Sequence, residues 1–303
     1  MPRIARILCP IDFSDASVHA VEQAAAIARW SGATLTVLNV EHPIFMPVPT
    51  LPPPFDRIPD VRLSAVRERM TAFIRTASMD RIKTTTMVDI GEPVAKILEH
   101  VASLPADLVV IGTHGATGFE HLMLGSVTET ILRKARCPVL TVPPRARTTS
   151  LLPFRRILCA VDFSEWSIEA LTLAASLAGD SRAALDVVHV IEWPWDEPPQ
   201  PDLRELPPAQ ASALMEFRRY LEVSATKRLE ALIRAAVPDT CIAEPHIYHG
   251  KPYVELLLGA AEHDADLIVI GVHSHGHVDL ALFGSTTNQV VRRATCPVLT
   301  LRG

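Results

Sequence analysis

Asp107-Leu108-Val109-Val110-Ile111-Gly112-Thr113-His114-Gly115 is the stretch that decides how this chain folds. Its four apolar residues run together with no polar alternation. A strand with one wet face alternates, whereas a strand covered on both faces reads as a continuous apolar run. The stretch therefore predicts a strand in a parallel sheet with helices on both sides. The same reading returns 159 positions later, as Asp266-Leu267-Ile268-Val269-Ile270-Gly271.

Other segments recur with it. Cys9-Pro10-Ile11-Asp12-Phe13-Ser14 returns as Cys159-Ala160-Val161-Asp162-Phe163-Ser164, and Gly91-Glu92-Pro93 as Gly250-Lys251-Pro252. Cys137-Pro138-Val139-Leu140-Thr141 returns as Cys296-Pro297-Val298-Leu299-Thr300. Two long copies imply two domains and not a solenoid. We place them at residues 1–145 and 154–303, with the boundary in the Pro143–Pro153 stretch.

Each copy alternates strand and helix. In the first, strands are expected at Ile4–Ile11, Thr34–Val40, Thr84–Val88, Leu108–Ile111 and Val139–Val142. Helices are expected from Ser14, a natural N-cap, to Trp30, then over Pro59–Ser78, Pro93–Ser103 and Val127–Lys134. Val18, Val21, Ala25 and Ala28 share one face of the first helix, and Ile168, Leu171, Ala175 and Ala178 repeat that spacing. His42–Pro59 and Trp193–Pro208 are proline-rich loops. The fold class is α/β, two tandem doubly wound parallel-sheet domains.

Composition narrows the function. A net charge of −5 over 303 residues argues against a general nucleic-acid binder. No apolar run is long enough for a membrane span, and the basic start reaches Asp12 too soon for a signal-peptide core. A soluble cytoplasmic protein is expected. The five cysteines form no CxxC or zinc spacing, so they read as small buried side chains.

In an open parallel sheet, ligands bind beyond the carboxyl ends of the strands, where strand order reverses. Asp12 ends the first strand and Gly112 the fourth. With an order of 3-2-1-4-5 they are neighbours. Gly112-Thr113-His114-Gly115, nine residues, then Gly125-Ser126 leaves backbone amides free at a helix start, where a phosphate can sit. Asp12 suits the ribose or base end.

These residues resemble the ATP-binding branch of the universal stress protein family, whose motif is Gly-x2-Gly-x9-Gly-Ser/Thr. Gly112, Gly115, Gly125 and Ser126 match it, Val127-Thr128 follow as is typical, and Asp12 matches the family's acidic residue after the first strand. The resemblance covers almost the whole chain. It implies the adenine-nucleotide alpha-hydrolase-like five-stranded fold, order 3-2-1-4-5, with the fifth strand pairing across a dimer or pseudo-dimer. It also implies that ATP, with Mg²⁺ as its companion ion, is held by Pro10, Asp12, Val40, Gly112, His114, Gly115, Gly125, Ser126, Val127 and Thr128. The implied role is nucleotide-dependent signalling or partner binding in the stress response. The implied partners are the nucleotide, the second domain in an intramolecular pseudo-dimer, and a second copy in a homodimer.

The second copy departs from the motif. Ser274 stands at the position of Gly115, and Gly276-His277 at that of Thr117-Gly118, so weaker or absent nucleotide binding is expected there. The rival readings are a stress protein that binds partners without nucleotide, and a weak ATPase. There is no Walker lysine motif, no GxSxG and no HExxH, and no general base is apparent. His273, His275 and His277 alternate, with His246 and His249 elsewhere, but no Cys or carboxylate supports them at ligand spacing. They read as a polar loop, and no metal site is expected. Arg67-Glu68-Arg69 and Arg218-Arg219 read as solvated helix faces.

Overall fold

The computed structural model describes residues 4–42, 60–76, 82–113, 124–144, 154–192, 207–272 and 284–302. The first copy runs β1 (Arg6–Ile11), α1 (Asp15–Ser31), β2 (Thr34–Glu41), α2 (Asp60–Thr76), β3 (Thr84–Ile90), α3 (Pro93–Ser103), β4 (Leu108–Gly112), α4 (Ser126–Lys134) and β5 (Val139–Val142). The second runs β6 (Arg156–Ala160), α5 (Glu165–Ser181), β7 (Ala184–Ile191), α6 (Pro208–Ala236), β8 (Ala243–His249), α7 (Pro252–Glu262), β9 (Leu267–Gly271), α8 (Ser285–Arg293) and β10 (Val298–Leu301). None of the described helices is long and apolar enough to cross a membrane.

The chain divides into two compact units. The first comprises residues 1–152 with 295–302, and the second 153–294 with Gly303. In the first unit the strand order is β3-β2-β1-β4-β5, and all five strands are parallel. The β4 run that predicted a doubly covered strand is buried at every residue. Continuing the β1–β4 register, Ile7↔Leu108 and Leu8↔Val109, brings Ile11 level with Gly112. The chain winds outward from β1 to β3 and then crosses back to β4, so strand order reverses between β1 and β4.

The first unit also holds β10, the fifth strand of the second copy, which pairs with β5 as the resemblance implies for the fifth strand. β10 runs antiparallel to β5, with Val298↔Thr141 and Thr300↔Val139 paired. The Thr141 hydroxyl donates to the Val298 carbonyl, and the Thr300 hydroxyl to the Val139 carbonyl, each at 3.2 Å. β5 is only four residues long and wholly buried. Left as an edge, it would present an unpaired row of peptide groups beside an apolar surface.

In the second unit the order is β9-β6-β7-β8, again all parallel. α5 and α6 pack against each other and α7 against α8, as α3 does against α4. Capping decides the helix starts. The Ser14 and Ser164 side chains accept from the backbone N–H groups of Ser17 and Ser167. The Glu92 carboxylate accepts from Val94 and Ala95 at the start of α3. Gly32 closes α1 at φ 72°, where glycine carries no Cβ penalty.

The expected face of α1 is buried at Val21, Ala25 and Ala28 and half-buried at Val18. On α5, Leu171, Ala175 and Ala178 are buried, but Ile168 is exposed. All five cysteines carry free thiols. Burial pushes the Cys9 and Cys159 thiols upward, and that of Cys137 to about 11.

Candidate functional site

Asp12 stands one residue past β1, exposed, at the reversal of strand order. Its Oδ1 accepts from the Ser14 N–H at 3.0 Å and the Ser17 hydroxyl at 2.7 Å, while its own N–H donates to Ser17 Oγ at 3.1 Å. The carboxylate thus fastens the turn into α1, which is the capping role open to any Asp two residues before an N-cap. Phe13, between them, has φ 63°. A left-handed conformation at a bulky residue is strained, and such strain persists only when neighbours impose it. Here the Phe13 ring meets Phe73 edge-on at 5.6 Å, and the Arg69 guanidinium lies 4.3 Å over its face. Arg69 is therefore engaged with the strand-end turn, and not only a solvated helix residue.

The glycines have separate roles. A Cβ on Gly112 would lie 3.0 Å from the Cβ and carbonyl oxygen of Ala16, so this glycine lets β4 end against the first turn of α1. Gly125 is the N-cap of α4, at φ −60° and ψ 136°, and provides no side-chain cap. The first-turn amides of Ser126, Val127 and Thr128 therefore lack the hydroxyl or carboxylate that caps α1 and α3. Such amides, at the positive end of the helix dipole, suit an anion. The buried Thr128 hydroxyl donates to the Gly112 carbonyl at 2.8 Å, and the Gly125 N–H to the Thr113 carbonyl at 2.9 Å. Both bonds hold the α4 N-terminus at the end of β4.

Of the other expected residues, Pro10 is buried within β1 opposite Leu38. Val40 is half-buried on β2 opposite Asp89, Ser126 is exposed, and Val127 half-buried. His114 and Gly115 lie outside the described residues, as do most of both proline-rich loops and Ser274 with His273, His275 and His277. Asp12, Gly112, Gly125, Ser126 and Thr128 are brought to one edge, the carboxyl edge of β1 and β4.

One residue there escaped sequence reasoning. Asn39, paired with Ile11 on β2, is buried, and its Nδ2 donates to the Ile11 carbonyl at 3.1 Å. Its Oδ1 is buried with no partner among the described residues. A buried amide oxygen left without a donor costs about 1–3 kcal/mol, so a donor is expected. The available signal was an amide side chain, beside Thr36 the second polar residue, inside the otherwise apolar run Leu35–Val40.

The second unit repeats the frame with different fittings. Asp162 Oδ1 accepts from the Ser164 N–H at 2.9 Å, but the Ser167 hydroxyl donates to the Ser164 carbonyl. Phe163, at φ 64°, lies under the Arg228 guanidinium at 4.1 Å. His189 stands where the first copy has Asn39. Its Nδ1 lies 2.7 Å from the Val161 carbonyl, to which it donates, and its ring packs on Phe163 at 4.5 Å. Burial, chiefly, and the Arg228 charge hold His189 below the usual histidine range, against the opposing pull of the Val161 carbonyl and Asp162. Val272 replaces Thr113, and Gly284 again caps α8 without a side chain.

The first unit's edge offers free amides to an anion at α4 and acceptor oxygens, Asn39 Oδ1 and the Asp12 carboxylate, to a group that donates.

The sequence model described as "Universal stress protein family" matches residues 3–143 and again 153–302. The chain is similar to universal stress protein A homolog 1 of Coxiella burnetii, with 32% identity over 152 residues, covering 48% of this chain and 94% of that protein. It is 28% identical over 310 residues to a universal stress protein of Mycolicibacterium smegmatis, covering 98% of this chain and 96% of the relative. Among solved structures, a universal stress protein of Archaeoglobus fulgidus aligns with TM-score 0.71 and 24% identity over 99% of this chain and 97% of that one. That likeness concerns the fold.

Proposed function

The chain belongs to the universal stress protein family in both of its halves, and on that premise we propose that its N-terminal copy binds ATP and couples occupancy to a partner in the cytoplasmic stress response. The observation that carries the reading is the pairing of an uncapped α4 N-terminus with an Asn39 Oδ1 that has no partner among the described residues, at one sheet edge. Phosphates fit the α4 amides, with Gly115 as part of the proposed set, and Mg²⁺ travels with them. An exocyclic amine or ribose hydroxyl fits Asn39 and Asp12. His114 and the backbone at Val40 complete the proposed set.

One site per chain is proposed. In the second copy His189 replaces the acceptor of Asn39, Val272 replaces Thr113, and Ser274 replaces Gly115. Binding, and not turnover, is the activity assigned. The two copies are read as domains of about 145 and 150 residues acting as intramolecular partners, which is supported by β10 of the second copy running beside β5 in the first unit.

The test is mass spectrometry of small molecules released from heat-denatured protein, followed by calorimetric titration with ATP. An adenine nucleotide near one per chain is expected, with affinity reduced at least tenfold in Gly115→Val. No nucleotide and no heat of binding at millimolar ATP would overturn the reading in favour of a nucleotide-free interaction protein. Two equal sites would overturn the assignment to one copy.

A further inference from the structure

Among the described residues, the second unit carries a cluster that the first lacks. Asp186 on β7, His246 on β8 and His263, the C-cap of α7, bring three ligand atoms within 4.8 Å of one another. His246 Nε2 lies 2.9 Å and His263 Nδ1 3.6 Å from the same oxygen, Asp186 Oδ1. Asp186 is 5% exposed, and the two rings pack at 4.5 Å. Asp186 is third in its strand, under the C-terminus of α7, so the cluster lies toward the amino ends of the strands, away from the edge that carries Asp162. At matching positions the first copy has Thr36, Met87 and Leu104. The fold therefore does not require the cluster, and burying a carboxylate without compensation is costly.

The proton arrangement is informative. Tyr248 donates its hydroxyl hydrogen to Glu262 Oε2 at 3.2 Å and lies 3.1 Å from His263 Nε2. The His263 tautomer protonated at Nε2 donates to the tyrosine oxygen, and in that tautomer the Nδ1 lone pair faces Asp186 Oδ1, with a cation's place between them. A histidine held at one nitrogen so that the other is bare is how metal-binding imidazoles are oriented. We propose that Asp186, His246 and His263 form a zinc site, with Nε2 of His246, Nδ1 of His263 and Oδ1 of Asp186 as ligands and Tyr248 as the positioning residue.

The donor set suits zinc, which accepts imidazole and carboxylate together and imposes no geometry of its own. A point equidistant from atoms so spaced lies about 2.4 Å or less from each, a few tenths of an ångström beyond Zn–N and Zn–O bonds of ~2.0–2.2 Å. On binding, His246 Nε2 releases its proton to solvent, since only a bare nitrogen ligates. Three protein ligands leave a fourth position for water. The ion joins β7, β8 and the end of α7.

The experiment is zinc titration of tag-free, chelator-treated full-length protein against a competing chromophoric chelator, with elemental analysis after dialysis. One zinc per chain is expected, lost in His263→Ala and His246→Ala. Tyr248→Phe should weaken binding about tenfold. The triple variant His273→Asn, His275→Asn, His277→Asn should keep full stoichiometry. Long-range ¹H–¹⁵N spectra of the unsubstituted protein should show one histidine bound through Nε2 and one through Nδ1, a readout independent of whether any variant folds. Absence of stoichiometric zinc, its persistence in both alanine variants, or its loss in the loop variant would overturn the proposal.

Discussion

Gly112 and Gly271 lie in the motif read as a phosphate cradle, yet the structure gives both a packing role that a substitution can measure. A Cβ on Gly112 would sit 3.0 Å from the Ala16 Cβ and carbonyl oxygen. On Gly271 it would sit 2.6 Å from the carbonyl carbon and oxygen of Trp166 and 2.7 Å from the Ser167 nitrogen. Ordinary contacts between carbons are ~3.5–4.0 Å, so α1 must retreat about 0.5 Å and α5 about 1 Å. Neither helix start yields easily, because each is pinned by its serine cap and the preceding aspartate. Overpacking of this kind costs about 1–3 kcal/mol, less about 0.5 kcal/mol returned by the stiffer unfolded chain. We expect Gly112→Ala to lose about 1 kcal/mol and Gly271→Ala about 2.5 kcal/mol, that is, about 2–4 °C and 5–10 °C in Tm. Thermal melts followed by far-ultraviolet circular dichroism would check both. A Gly271→Ala protein that melts with the parent, or above Gly112→Ala, refutes the packing argument. The result also governs how binding mutants are interpreted. If Gly112→Ala loses ATP and stability together, displacement of the Asp12–Ser17 turn accounts for both.

Two further expectations follow from the helix ends and the first strands. Gly125→Asp places a carboxylate where the uncapped α4 amides are. Its φ and ψ suit any residue, so stability should rise by a few tenths to about 1 kcal/mol while ATP affinity falls at least tenfold. Unchanged affinity by calorimetry would remove the phosphates from α4. Asp107 and Asp266 both accept amide hydrogen bonds ahead of their copy's first strand, but only Asp107 has the Arg6 guanidinium at 2.9 Å. Burial alone would raise Asp107, but the bonds from Arg6 and the amides of Ala5 and Arg6 outweigh it and hold it below 3.8, whereas burial prevails at Asp266 and raises it. The charged form of Asp107 thus stabilises the fold above about pH 4, and that contribution disappears as pH falls through the folded-state value. Asp107→Asn should lower the urea midpoint at pH 7, with the deficit closing as pH falls through the folded-state value, and Asp266→Asn should lose less at pH 7. Equal deficits at pH 7 would contradict the assignment.

Legibility followed the range of the interactions. α3 and β5 were bounded to the residue, because Pro93 opens the helix and an apolar run writes the strand into a few consecutive positions. β3 was read two residues short, because its last residues extend only by pairing, Val40↔Asp89 and Glu41↔Ile90. The antiparallel place of β10 left no local mark, since its Val298-Leu299-Thr300 looks the same whichever strand it joins. At the candidate site, Asp12 and Gly125-Ser126 were visible as punctuation between elements, while Asn39 was hidden inside a strand. Attention fell on His273, His275 and His277 because they alternate in sequence, but Asp186 and His246 are 60 positions apart and meet through strand pairing. No spacing rule finds such a set. Comparison of the two copies does, because the fold is held constant between them. Where Thr36, Met87 and Leu104 become Asp186, His246 and His263, one buried and two half-buried positions change together from uncharged or apolar to ligand-bearing. The duplication therefore acts as an internal control, and the positions at which its copies disagree chemically within one buried neighbourhood carry the functional information that periodicity and spacing miss.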